Sequence, residues 1–220
     1  MTETAMDRDF AALTDKIARE RGFGCASYKE RCLRRRIAVR MRARGVHTYA
    51  DYSRVLDTDA REYDLLLDAL TINVTKLFRN WDTFQAIDTL VVPALWARPD
   101  ATLRIWSAGC ASGEEARSLA SRMHRYAVGR DEGAQLGRVT VMGTDIDRAS
   151  LDAARRGAYA EPAFADTPPA LRARYFSPEA PHVVDPDVRR LVQFTHRDLL
   201  REPPPASDVH LITCRNVLIY

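Results

Sequence analysis

The chain has 220 residues, 46% of them hydrophobic, which is enough for one large domain or two small ones with real cores. Its 33 basic and 30 acidic residues leave a net charge of +3, so general nucleic-acid binding is not indicated. No apolar run approaches the ~20 residues of a membrane span, and the polar, acidic start Met1–Asp9 is unlike a secretory signal. Cys25, Cys32, Cys110 and Cys214 form no CxxC pair and read as free thiols of a reducing cytoplasm.

Residues 8–70 read as helical. Phe10, Leu13 and Ile17 recur as one helix face requires, and Gly22 and Gly24 break the pattern. Ser27, with Glu30 three residues on, reads as the capping box of a second helix. In that helix Leu33, Ile37 and Met41 face inward, and Gly45 stops it. Thr48–Leu56 and Glu62–Leu70 complete a small all-α module over residues 1–70. Between Lys16 and Arg44 eleven basic residues meet two acids, a local excess that an acidic partner would explain, although a solvated face is the ordinary reading.

From residue 71 to 220 the pattern changes. Trp81–Val92 is a helix candidate that Pro93 should end. Leu103–Trp106, Val139–Met142, Leu191–Thr195 and His210–Thr213 read as strands, alternating with helices at Ala116–Tyr126 and Arg148–Arg155. That alternation means a parallel sheet with crossovers. Residues 156–190 are proline-rich and read as irregular, with one helix near Pro169–Arg174.

Two strand ends carry the chemistry. After the first, Gly109 and Gly113 make a tight turn and Glu114 opens a helix. After the second stands Asp145. A glycine turn beside an acid on the next strand is how an open α/β sheet holds an adenosine. No Gly-Lys-Ser/Thr loop is present, and the turn is G-x-x-x-G followed by two acids, which repel a pyrophosphate but suit a sulfonium or an ammonium. S-adenosylmethionine carries both. The five histidines show no ligand spacing, so no metal is expected.

These segments resemble the CheR-type chemotaxis receptor methyltransferases. The resemblance runs from the basic helical module to the last residue, and it is most specific at 71–79, 106–115, 144–147, 153–159 and 214–220. It implies an α/β fold, with a small helical domain followed by a Rossmann-like class I methyltransferase sheet. It implies methyl transfer from S-adenosylmethionine to glutamate carboxylates of chemoreceptor cytoplasmic domains, by a cytoplasmic monomer, leaving S-adenosylhomocysteine. Asn73, Thr75 and Arg79 match the segment over the cofactor; Gly109 belongs to the glycine turn, Glu115 to the methionine end, Asp145 to the ribose, Asp198 and Leu199 to the adenine, and Arg215 and Asn216 to the pocket wall. Arg79 and Tyr220 match the positions beside the transferred methyl, and Arg31, Arg34, Arg35 and Arg42 the receptor-facing helix. Taken singly, Asn73 and Thr75 also read as helix caps, Arg79 as a solvated helix residue and Tyr220 as a packed aromatic. The chain departs from the family at Val74, Leu77 and Ala116–Arg117. It also stops at Tyr220, where family members continue with a helix and further strands, so a sheet incomplete at that end is expected, with its last strand an open edge. The alternative is a catalytically impaired homologue that docks on receptors or senses cofactor; an RNA methyltransferase is disfavoured, because no aromatics interleave with the arginines.

Overall fold

The structure is a computed structural model that describes residues 3–70 and 75–217. The chain divides into two compact units, Met1–Ile72 with Ile219–Tyr220, and Asn73–Leu218.

The first unit is helical: α1 (Glu3–Arg21), α2 (Glu30–Ala43), α3 (Tyr49–Thr58) and α4 (Ala60–Leu70). Its core gathers Phe10, Leu13 and Ile17 of α1, Leu33, Ile37 and Met41 of α2, Tyr52 and Leu56 of α3, and Leu66 and Leu70 of α4. Each set recurs at three or four residues, so burying one face fixes the helix. Thr48 caps α3 by accepting the Asp51 N–H at 3.0 Å. Past α2, Gly45 adopts φ 65°, its N–H reaching the Arg42 carbonyl and the Val46 N–H the Met41 carbonyl, which is the left-handed stop expected there. One expectation fails. Ser27 lies in a preceding 3-10 turn (Cys25–Ser27), and Lys29 is the N-cap of α2. The first helical bonds start from the Lys29 carbonyl, because the Tyr28 N–H turns back to Cys25.

The second unit is built on a four-stranded parallel sheet of β1 (Leu103–Ala108), β2 (Val139–Asp145), β5 (Val192–His196) and β6 (Leu211–Thr213), in the order β5-β2-β1-β6. A small antiparallel pair, β3 (Ala158–Tyr159) with β4 (His182–Val183), lies apart from it. β1 and β2 are buried almost throughout, as parallel strands covered on both faces must be. Six further helices accompany the strands: α5 (Trp81–Ala86), α6 (Val92–Trp96), α7 (Glu114–Gly129), α8 (Arg148–Arg156), α9 (Pro169–Tyr175) and α10 (Pro186–Arg190).

Pro93 does not end its helix. A π turn, Ile87–Val91, joins α5 to α6, and the Val92 N–H bonds five residues back to Ile87. The wider turn accommodates a proline whose ring would clash in a regular α-helix. It also carries Asp88, which pairs with the buried Arg122 of α7. The 156–190 stretch holds more order than its composition implies: β3, β4, a 3-10 turn at Glu161–Phe164, α9 and α10. These elements are too short to show a period.

Candidate functional site

The chain lays β2 and β5 on one side of β1 and then crosses to β6 on the other, so the sheet has its switch point at the C-terminal end of β1. In open parallel sheets ligands bind outside this end. The residues that follow the strands there are those that the sequence singled out.

The turn from β1 into α7 is left-handed at three places, Gly109 (φ 72°), Ala111 (φ 47°) and Gly113 (φ 89°). The glycines adopt this region freely, but Ala111 stays there only where other contacts impose it. Here the Gly109 and Cys110 N–H groups both donate to the Thr144 carbonyl, at 2.8 and 2.9 Å, and the Ala111 N–H donates to Asp145 at 2.7 Å. The end of β2 thus shapes the turn. A side chain at Gly109 would stand 2.4 Å from Val217, so the bend after β6 closes on the turn at the point where glycine leaves room.

Asp145 is 8% exposed. One carboxylate oxygen takes the Ala111 N–H and the other takes the Asp147 N–H at 2.9 Å. Each keeps a lone pair, an arrangement matched to two adjacent hydroxyls. Burial pushes its carboxyl above the ordinary range, against the pull of those N–H groups.

The two acids that open α7 have different roles. Glu115 accepts from Ser107 at 2.8 Å and Thr213 at 2.7 Å, and meets the Arg215 guanidinium at 3.5 Å. Glu114 is 5% exposed and takes the Ser112 hydroxyl, at 2.8 Å to each oxygen; burial pushes its carboxyl up to about 7 against that hydroxyl and a backbone N–H. Of the two acids, Glu115 is the one that meets groups from β1, β6 and the loop beyond, while Glu114 turns into the interior.

Arg215 links distant parts of the site. Besides Glu115 it donates to the Arg79 carbonyl at 2.8 Å and the Asn80 side chain at 3.0 Å, and it lies over the Phe84 ring. Thr75 and Arg79 are half-buried in an irregular segment, so Arg79 is not a helix residue. Asn216 follows Arg215 in a bend at φ 58°. Asp198 and Leu199 lie just past β5, whose His196 is in register with Asp145. Asn73 and Tyr220 lie outside the described residues.

Sequence reasoning missed Arg117. Its guanidinium is buried, stacked over Phe194 and bonded to the Ala154 and Arg189 carbonyls. Gly143, in the middle of β2, was the available signal, since an interior strand glycine marks a close approach. A side chain there would meet Phe194 at 2.6 Å.

In the helical unit the basic residues divide. Arg34 is held by Glu30 and Asp7 and lies 4.0 Å over Phe10; Arg40 pairs with the buried Glu62, and Arg36 bonds to the Ala69 carbonyl. Arg31, Arg35 and Arg42 are exposed and form no ion pair with a described residue. Positions 31, 35 and 42 fall on one stripe of an α-helix.

The chemistry of the cofactor end fits S-adenosylmethionine. Two carboxylates held by fixed donors offer acceptors for a diol and an ammonium, and the turn from Gly109 to Ala116 carries no cation for a pyrophosphate. Comparison with known proteins agrees. Residues 73–220 match the family model of the CheR methyltransferase S-adenosylmethionine-binding domain, and residues 8–71 that of the CheR methyltransferase all-alpha domain. The chain is 31% identical to a chemotaxis protein methyltransferase of Listeria monocytogenes over 98% of its own length and 79% of the relative's. It is 33% identical to chemotaxis protein methyltransferase 2 of Pseudomonas aeruginosa over 96% and 75%. An uncharacterised 104.1 kDa protein of Rhodobacter capsulatus is 34% identical over 88% of this chain, which spans only 20% of that protein. No described helix is long and apolar enough to cross a membrane. The chain belongs to the CheR methyltransferase family, a family of methyltransferases whose methyl donor is S-adenosylmethionine.

Proposed function

We propose that this chain methylates glutamate side chains of chemoreceptor cytoplasmic domains. The observation that carries this reading is the convergence of Asp145, Glu115 and Arg215 at the C-terminal end of the sheet, with Arg215 bonded to the Arg79 carbonyl. S-adenosylmethionine supplies a methyl group made electrophilic by its sulfonium. Asp145 accepts the ribose hydroxyls, and Glu115 serves the methionine end. Asp198 and Leu199 flank the adenine, while Asn73, Thr75, Gly109 and Asn216 line the pocket. The domain boundary falls at residues 70–71.

The chain's own work is positioning. A glutamate is already ionised at neutral pH, so no residue need remove a proton. Arg79 orients the attacking carboxylate through charge-assisted bonds, and Tyr220 stands with it beside the methyl. Holding nucleophile and methyl in line supplies ~7–11 kcal/mol of the barrier. Too tight a grip on the carboxylate would quench it, so orientation is the useful contribution. Arg31, Arg35 and Arg42 meet the acidic receptor surface and steer its approach. Arg34 contributes less, being engaged within its own unit.

The test is transfer of tritiated methyl from S-adenosylmethionine to a panel of purified chemoreceptor cytoplasmic domains. Label released by mild base is the expected result. Cofactor binding with no label on any receptor would overturn the substrate assignment. Receptor binding without turnover would favour the docking module.

A further inference from the structure

The segment that leads to Arg79 is strained and held from outside. Phe78 and Asn80 both adopt left-handed backbone, at φ 54° and 59°, and Phe78 is fully buried there. A bulky residue in that region is an outlier that its surroundings must impose. The Leu77 N–H donates to the Ala163 carbonyl at 2.9 Å, and the Leu77 carbonyl accepts the Thr167 hydroxyl at 3.2 Å. The Phe78 N–H donates to Ser118 at 2.8 Å, and the Arg79 carbonyl accepts from Arg215.

One side chain grips both ends of the turn. Asp166 accepts from Lys76 Nζ at 3.1 Å on one oxygen and from the Asn80 N–H at 3.3 Å on the other. Burial raises its carboxyl, but Lys76, the Asn80 N–H and the field of Arg79 outweigh burial and hold it below the usual range. It stays ionised at neutral pH.

We propose that Asp166 is a positioning residue for methyl transfer, fixing the turn that carries Arg79 by tying Lys76 to the Asn80 amide. The inference rests on the role given to Arg79 above. Asp166 is not among the residues assigned to the cofactor, so its loss weakens transfer more than cofactor binding, because Arg79 can orient a carboxylate only while its backbone is held. Without the negative charge, Lys76 loses its counterion and the Asn80 N–H loses its acceptor.

The experiment compares Asp166→Asn and Asp166→Glu with the wild-type full chain. Three readouts are taken: hydrogen exchange of the peptide 75–83, the Kd for S-adenosylhomocysteine by calorimetry, and kcat and KM for methylation of a purified chemoreceptor cytoplasmic domain. In Asp166→Asn, exchange rises and kcat falls by on the order of tenfold to a hundredfold, as misplacement of an orienting group requires. The Kd stays within about threefold, and Asp166→Glu recovers most of the rate. In an Arg79→Lys background the same change costs less than about threefold more, because both act on one contact. Wild-type kcat in Asp166→Asn with an impaired Arg79→Lys would overturn the role of Asp166 and leave that of Arg79. Wild-type kcat in Arg79→Lys would remove both. A Kd that rises in step with the fall in kcat would show that Asp166 only maintains the fold, which also overturns the proposal. If Asp166→Asn does not fold, Lys76→Met cuts the same link and is judged by the same outcomes.

Discussion

Replacing Asp145 with asparagine tests the cofactor assignment at its most specific point. The carboxylate is held by the Ala111 and Asp147 N–H groups, one on each oxygen, which leaves one acceptor site on each for a ribose hydroxyl. Asparagine keeps one acceptor oxygen and turns a second donor toward a donor. A hydrogen bond to a charged group contributes about 1.5–3 kcal/mol. Losing one such bond and the charge behind the other costs about 2–3 kcal/mol of binding, a rise in Kd of roughly 30- to 150-fold.

Calorimetric titration with S-adenosylhomocysteine measures this directly. The same titration with an analogue lacking both ribose hydroxyls separates ribose recognition from damage to the turn. The analogue should bind wild type and variant within about threefold of each other, because neither can use the lost contacts. The reasoning fails if the variant binds S-adenosylhomocysteine as wild type does, or if it loses the analogue by the same factor. The wild-type affinity should also fall on acidification earlier than an exposed aspartate would require, because burial raises the Asp145 carboxyl and protonation removes the charge.

Glu114→Gln should change how stability depends on pH. A carboxyl at about 7 in the fold, against 4.5 unfolded, binds its proton more tightly when folded, so it withdraws stability as pH rises between those values. The shift corresponds to about 3 kcal/mol, so above pH 7 urea denaturation should find the variant more stable by up to that amount; equal pH slopes in the two proteins would contradict this. Glu62→Gln should destabilise the helical unit by about 2–3 kcal/mol, since Glu62 is 1% exposed and the amide keeps one acceptor oxygen but loses the charge that Arg40 pairs with and turns an NH2 donor toward the guanidinium. An unchanged urea midpoint for loss of helical circular dichroism would refute it. Reversing Arg31, Arg35 and Arg42 to glutamate should weaken receptor binding most at low salt, with the Kd for S-adenosylhomocysteine unchanged. Salt-independent receptor binding by the variant, equal to wild type, would exclude that helix face as the docking surface.

Much of the architecture is legible in residue periodicity. Leu33, Ile37 and Met41 could be buried together only on a helix, and Leu103, Ile105 and Trp106 read as a covered strand although Arg104 interrupts them. Elements of two to five residues have no period to read, so β3, β4 and α10 escaped. Pro93 misled for a different reason. The rule that proline ends a helix assumes α geometry, and the π turn before it removes that premise. The basic run between Lys16 and Arg44 looked like a single surface, yet Arg34, Arg36 and Arg40 spend their guanidiniums within the helical unit. Composition counts charges and says nothing of which are already satisfied.

The same limit governs the cofactor end. Glu114 and Glu115 are neighbours of one type, and sequence supplies no reason to separate them. Successive residues on a helix point about 100° apart, so one of two adjacent acids turns toward the interior while the other faces the strand ends. Here the interior position falls to Glu114, where loss of water raises its proton affinity. The outward one falls to Glu115, where Ser107, Thr213 and Arg215 converge on the carboxylate. Those three come from β1, the last residue of β6 and the loop beyond it, which the sheet order makes neighbours although some hundred residues of chain separate them. A glycine turn followed by two acids therefore announces where a ligand sits. Which acid faces the strand ends is decided by the strand order that places β6 beside β1.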